Sequence, residues 1–70
     1  MGEKITRREE QILDLLREGL SNREIASSLG IQEQSVKNAL AVLYQKFQVR
    51  NRTQLALLAA RARGPGTRSA

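Results

Sequence analysis

Gln34, Lys37, Asn38, Ala41 and Gln45 stand three and four residues apart in the segment EQSVKNALAVLYQKF, so on a helix they share one side. Their side chains suit the edges of base pairs. Gln and Asn amides can bond adenine through two hydrogen bonds, a Lys ammonium bonds guanine O6 or N7, and Ala fits against a thymine methyl. No carboxylate follows Glu33 on this side to repel a phosphate. The same face also reads as the solvated side of an ordinary amphipathic helix. What positions it must therefore decide between the two.

The opposite side of this helix carries Val36, Leu40, Leu43 and Phe47, bordered by Ala39. Spaced i, i+4, i+7 and i+11, they form a stripe wide enough to anchor the helix on its neighbours. Just before it comes LSNREIASSLG. Ser21 and Glu24 have the spacing of a capping box, and Leu20 with Ile25 that of a hydrophobic staple. Ile25, Ala26 and Leu29 mark an apolar face, and Gly30 is the residue type that most readily ends a helix in the left-handed conformation. Ile31 and Val36 make a second staple. A short helix, a tight turn and a longer helix with a polar outer face form a helix-turn-helix.

Two further helices support it. Thr6 and Glu9 repeat the capping-box spacing, and Ile12, Leu13 and Leu16, widened by Leu15, form a stripe ending before Gly19. Asn51 and Gln54 make a third such pair, opening a helix that runs to the Gly-Pro-Gly at 64–66. On that last helix Leu55, Leu58, Ala59 and Ala62 fall on one side. Thr53, Leu57 and Ala60 fall on the other, too far round to join the same core. This second face is a candidate dimer contact, although single exposed apolar residues are common. The reading is an all-α four-helix bundle with helices at about 6–18, 21–29, 32–47 and 51–63. Residues 1–5 are expected to fray, 6–63 to form one domain, and 64–70 to be a disordered basic tail.

Composition narrows the function classes. Seventy residues allow one small domain. Cysteine and histidine are both absent, which removes disulfides, thiolate or imidazole metal sites and imidazole base catalysis. No phosphate-cradling glycine loop appears, so neither an enzyme nor a cofactor is expected. The only aromatics are Tyr44 and Phe47, too few for an RNA stacking platform. The longest apolar run, 55–60, is far too short to cross a bilayer, and the charged residues near Met1 do not resemble a signal peptide. A cytoplasmic domain is expected. The net charge is +5, but unevenly placed: through Glu33 there are five basic and seven acidic residues, and from Gln34 onward seven basic and none acidic. An all-basic second half suggests a polyanionic partner.

Taken together and in order, TRRE at 6–9, GLSNREIA at 19–26, LGI at 29–31, SVK at 35–37 and VRNR at 49–52 resemble the LuxR/FixJ-type (GerE-like) helix-turn-helix domain, the output module of many bacterial transcription regulators. The resemblance covers about residues 5–60. It implies a four-helix bundle whose third helix enters the major groove of DNA and whose fourth commonly mediates dimerisation. Carried over by position, Lys37, Asn38 and Ala41 fall where that family faces base edges, and Asn22, Ser35, Lys46 and Arg52 near phosphates. Four positions depart from the family pattern. Gln32 replaces a serine cap, Ser35 a threonine, Ala39 a histidine, and Phe47-Gln48 a Leu-Gly that normally closes the third helix. The last change predicts a strained or reshaped exit.

These readings give a definite set of expected sites. Base contacts are assigned to Gln34, Lys37, Asn38 and Ala41. Phosphate contacts are assigned to Asn22, Ser35, Gln45, Lys46, Arg50 and Arg52, and a homodimer contact to Thr53, Leu57 and Ala60. The expected partner is double-stranded DNA, with RNA polymerase as a further one and no membrane. Two other classes remain open on the same scaffold: a protein-interaction module using Leu57, and a domain like region 4 of sigma factors. Salt-dependent affinity for duplex DNA separates them.

Overall fold

Three capping pairs set where helices begin, and the structure follows them. A computed structural model describes residues 5–63, in which α1 spans Arg7–Arg17, α2 Asn22–Leu29, α3 Glu33–Phe47 and α4 Arg52–Arg63. The all-α reading holds, with no strand among the described residues. Each helix starts one residue inside its expected limit, because a cap flanks the helix it closes. Ile5 is exposed and outside any helix. The expectations for residues 1–4 and for the tail at 64–70 lie outside the described residues.

Both Ser/Thr–Glu boxes form completely. The Glu9 backbone N–H donates to Thr6 Oγ1 at 3.1 Å while Thr6 N–H donates to Glu9 Oε1 at 3.0 Å. The Glu24 N–H donates to Ser21 Oγ at 3.1 Å, and Ser21 N–H to Glu24 Oε1 at 2.8 Å. At α4 the box is offset. Asn51 Oδ1 accepts from Gln54 N–H at 2.9 Å, but Gln54 Oε1 reaches one residue further, to the Arg50 N–H, also at 2.9 Å. Gln32 caps α3 without a side-chain hydrogen bond. There the staple holds the turn instead, with Val36 fully buried and Ile31 packed against the core.

The first three helices stop in the same way. Leu20 N–H donates to Leu15 O, Ile31 N–H to Ala26 O and Val49 N–H to Tyr44 O, each five residues back, at 3.3, 3.0 and 2.9 Å. The residue just before each donor is left-handed: Gly19 at φ +87°, Gly30 at +69° and Gln48 at +55°. Leu20, Ile31 and Val49 then fold back onto the core. This is the Schellman arrangement, in which an apolar residue just past the stop packs against the helix it closes. Gln48 is thus the strained form of the exit. A Cβ stands here in the left-handed conformation that glycine adopts without the clash. Gln48→Gly is expected to raise stability by about 1 kcal/mol, read as a higher urea midpoint at unchanged slope. An unchanged or lower midpoint would show that the Cβ there is accommodated.

The core draws on every helix. Ile12, Leu13 and Leu16 of α1, Ile25 and Ala26 of α2, Val36, Leu40 and Leu43 of α3, and Leu55 and Ala59 of α4 are buried together. Leu15, Leu29, Ala39 and Phe47 are half-buried at its margin. α2 packs mainly on α3, and α1 on α4. Burying Val36, Leu40 and Leu43 fixes the rotation of α3, and so fixes which residues it turns outward.

Candidate nucleic-acid interface

At 100° per residue, the direction opposite the Val36–Leu40–Leu43 stripe runs through Gln34, Asn38 and Gln45. All three are exposed, as are Ser35, Lys37 and Ala41 on either flank. The expected base-reading residues thus occupy one continuous exposed face of α3. Within it Gln34 Nε2 donates to Asn38 Oδ1 at 3.0 Å, one helical turn apart. That bond orients the Asn38 amide so that its NH2 group remains to donate. The sequence reading counted Ala41 as the one apolar residue here. Val42 is a second: it is 43% exposed and is not among the buried core residues.

The expected phosphate contacts divide into two groups. Ser35, Gln45 and Arg50 are exposed. Lys46, Asn22 and Arg52 instead make bonds within the fold. Lys46 Nζ lies 2.7 Å from Glu9 Oε1, with the two side chains only 18% and 10% exposed. This pair ties the last turn of α3 to the first turn of α1. Burial pushes the Glu9 carboxyl up, but the Lys46 ammonium and the donors of Thr6 outweigh it and hold the group below its ordinary value. Arg52 clamps the start of α2 to the start of α4. Its two terminal nitrogens donate to Asn22 Oδ1 at 2.5 Å and to Leu20 O at 2.6 Å. A guanidinium carries five donors and an ammonium three, so one internal bond does not use up either group.

On α4 the two faces separate as the wheel predicts. Leu55 and Ala59 are buried and Leu58 is half-buried, whereas Thr53, Leu57 and Ala60 are exposed, Leu57 at 62%. The Ala62 side chain lies outside the described residues. Leu57 and Ala60 stand between two open depressions. Val49, Leu58 and Arg61 help line one, and Leu16, Leu20 and Ala56 the other. No helix among the described residues is long and apolar enough to cross a membrane.

Known proteins are similar to this chain in sequence and fold. The profile of bacterial regulatory proteins of the luxR family matches residues 3–59. The CsgBAC operon transcriptional regulatory protein of Escherichia coli (strain K12) is 54% identical over 50 residues, 71% of this chain and 23% of that protein. The nitrate/nitrite response regulator protein NarP of the same organism is 43% identical over 60 residues, 86% of this chain and 28% of its own. Among solved structures, the response regulator ChrA of a heme-sensing two-component system superposes with a TM-score of 0.78 at 43% identity, over 90% of this chain and 31% of that one. The chain therefore spans about a quarter of the length of the relatives it matches. Profile, relatives and fold agree that the chain belongs to the luxR family of bacterial regulatory proteins, as a DNA-binding helix-turn-helix domain.

Proposed function

We propose that this domain binds double-stranded DNA sequence-specifically for a bacterial transcription regulator, with α3 in the major groove and two copies joined through α4 on paired half-sites. The observation that carries the reading is the exposed face of α3, where two amides, an ammonium and a small apolar residue stand together without a carboxylate after Glu33. Gln34, Lys37, Asn38 and Ala41 meet base edges. Ser35, Gln45 and Arg50 meet phosphates directly. Asn22, Lys46 and Arg52 do so only with donors their internal bonds leave over. Thr53, Leu57 and Ala60 form the contact between copies. Such a domain works in the cytoplasm at the nucleoid, beside RNA polymerase, as the output part of a longer regulator.

Lys37→Ala is expected to weaken binding to a selected site by about 1–3 kcal/mol and to relax preference at one base pair. Equal losses on selected and random duplex would remove Lys37 from base reading. The second reading, a protein-interaction module, draws support from the exposed Leu57. Titrating random duplex at low and high salt decides between them. Phosphate-mediated binding weakens steeply with salt, while a module without DNA affinity gives no signal at either.

A further inference from the structure

Val42 is not one of the residues that build the core. It is 43% exposed, and a β-branched side chain is a poorer helix former than alanine in the same place. Its position is informative. Gln34, Asn38 and Val42 succeed one another at i, i+4 and i+8, a single ridge along the outward side of α3. The first two members are joined by the Gln34–Asn38 hydrogen bond at 3.0 Å. From Gln34 to Val42 the helix rises about 12 Å, which is the width of the major groove. With α3 in the groove the ridge turns toward the base edges, and its third member offers two methyl groups and no donor or acceptor.

In the major groove one feature alone is apolar, the C5-methyl of thymine. We propose that Val42 determines sequence preference by packing its methyl groups on a thymine C5-methyl, one or two base pairs from the base pair that Asn38 engages. That spacing follows from the geometry, since neighbours at i and i+4 have Cβ atoms about 6 Å apart and base pairs stack every 3.4 Å or so. The inference rests on α3 lying in the groove, and it adds a base step that polar contacts alone would leave unread. Ala41, one residue earlier and smaller, lies 100° round the helix from Val42 and cannot make the same contact.

The test removes one methyl at a time. A duplex site is selected from a random pool with the whole chain, and each thymine in it is then replaced singly by deoxyuridine, which pairs identically but lacks the C5-methyl. The wild type is expected to lose about fourfold in affinity at one thymine, the loss that burial of one methyl implies. Val42→Ala is expected to bind the deoxyuridine duplex as the wild type does and to make no distinction between it and the thymine duplex. Thermal unfolding monitors its fold, which the substitution should leave intact. A Val42→Ala chain that distinguishes thymine from deoxyuridine at every position where the wild type does overturns the proposal, and so does a selected site with no methyl-sensitive thymine. Recovery of no preferred sequence at all would instead overturn the placement of α3 in the groove, and this inference with it.

Discussion

Glu9→Ala is expected to lower the stability of the domain by about 3 kcal/mol, the largest single loss outside the apolar core. Two contributions combine. The capping box of α1 loses its reciprocal half, and the nearly buried Lys46 ammonium loses the carboxylate 2.7 Å away. Removing one member of a part-buried pair usually costs more than the pair contributes, because the remaining charge keeps its desolvation cost and loses a partner. A domain this small has a total stability near the low end of about 5–15 kcal/mol, so the variant should be close to unfolding at room temperature. Urea denaturation at pH 7 measures it, and a midpoint near the wild type's would show that the pair is a bystander.

The charge itself has a separate signature. Glu9→Gln keeps a side-chain acceptor for the Thr6 N–H but removes the carboxylate. The folded Glu9 carboxyl sits below its ordinary value of 4.5, so its contribution is fully present above that pH. Below it, protons bind the unfolded chain first, and the contribution fades as pH falls through the folded value. The gap between wild type and Glu9→Gln should therefore be open at pH 7 and close in acid. A gap that stays constant down to the acid limit would assign the loss to packing rather than charge.

Leu57→Glu carries the second large effect, and it falls on assembly rather than folding. At 62% exposure Leu57 contributes little to the core, so the variant should unfold at the wild-type midpoint. If two copies meet through this face, binding the second half-site is nearly intramolecular, and such linkage commonly multiplies affinity at least a hundredfold. The variant is expected to lose about that factor on paired half-sites while binding a single half-site unchanged. Sedimentation of both chains on a paired site gives the independent readout. One copy per duplex for the wild type, or equal affinities for the two chains, would exclude α4 as the joint.

How much of this was legible beforehand follows from how far along the chain each interaction reaches. Helices, caps and core came through because their partners lie three or four residues apart, which is what a sequence pattern records. The Thr6–Glu9 and Ser21–Glu24 boxes and the Val36–Leu40–Leu43 stripe are of this kind. The Glu9–Lys46 pair spans 37 residues and the Arg52–Asn22 bond 30, and no local spacing announces either. The charge count points to the partner but, for the same reason, does not tell which cations also bond within the fold. Seven basic residues follow Gln34, yet Lys46 and Arg52 each hold the fold together from within. Val42 escaped notice because it sits between Ala41 and the buried Leu43. Only its exposure in the folded chain separates it from the core residues beside it.

The three repeated stops have a consequence for how the domain tolerates change. Surface connections ordinarily absorb an added residue at small cost. Here Gly19, Gly30 and Gln48 each sit inside a closed ring whose next member, Leu20, Ile31 or Val49, is seated on the core. An extra residue in the second turn would rotate everything after it by about 100°. Leu40 would then swing toward water while Ser35 and Val42 turned inward. Length at these corners is as constrained as chemistry is at the centre, and variation should accumulate instead on exposed helical positions such as Gln11, Ser27 and Ser28.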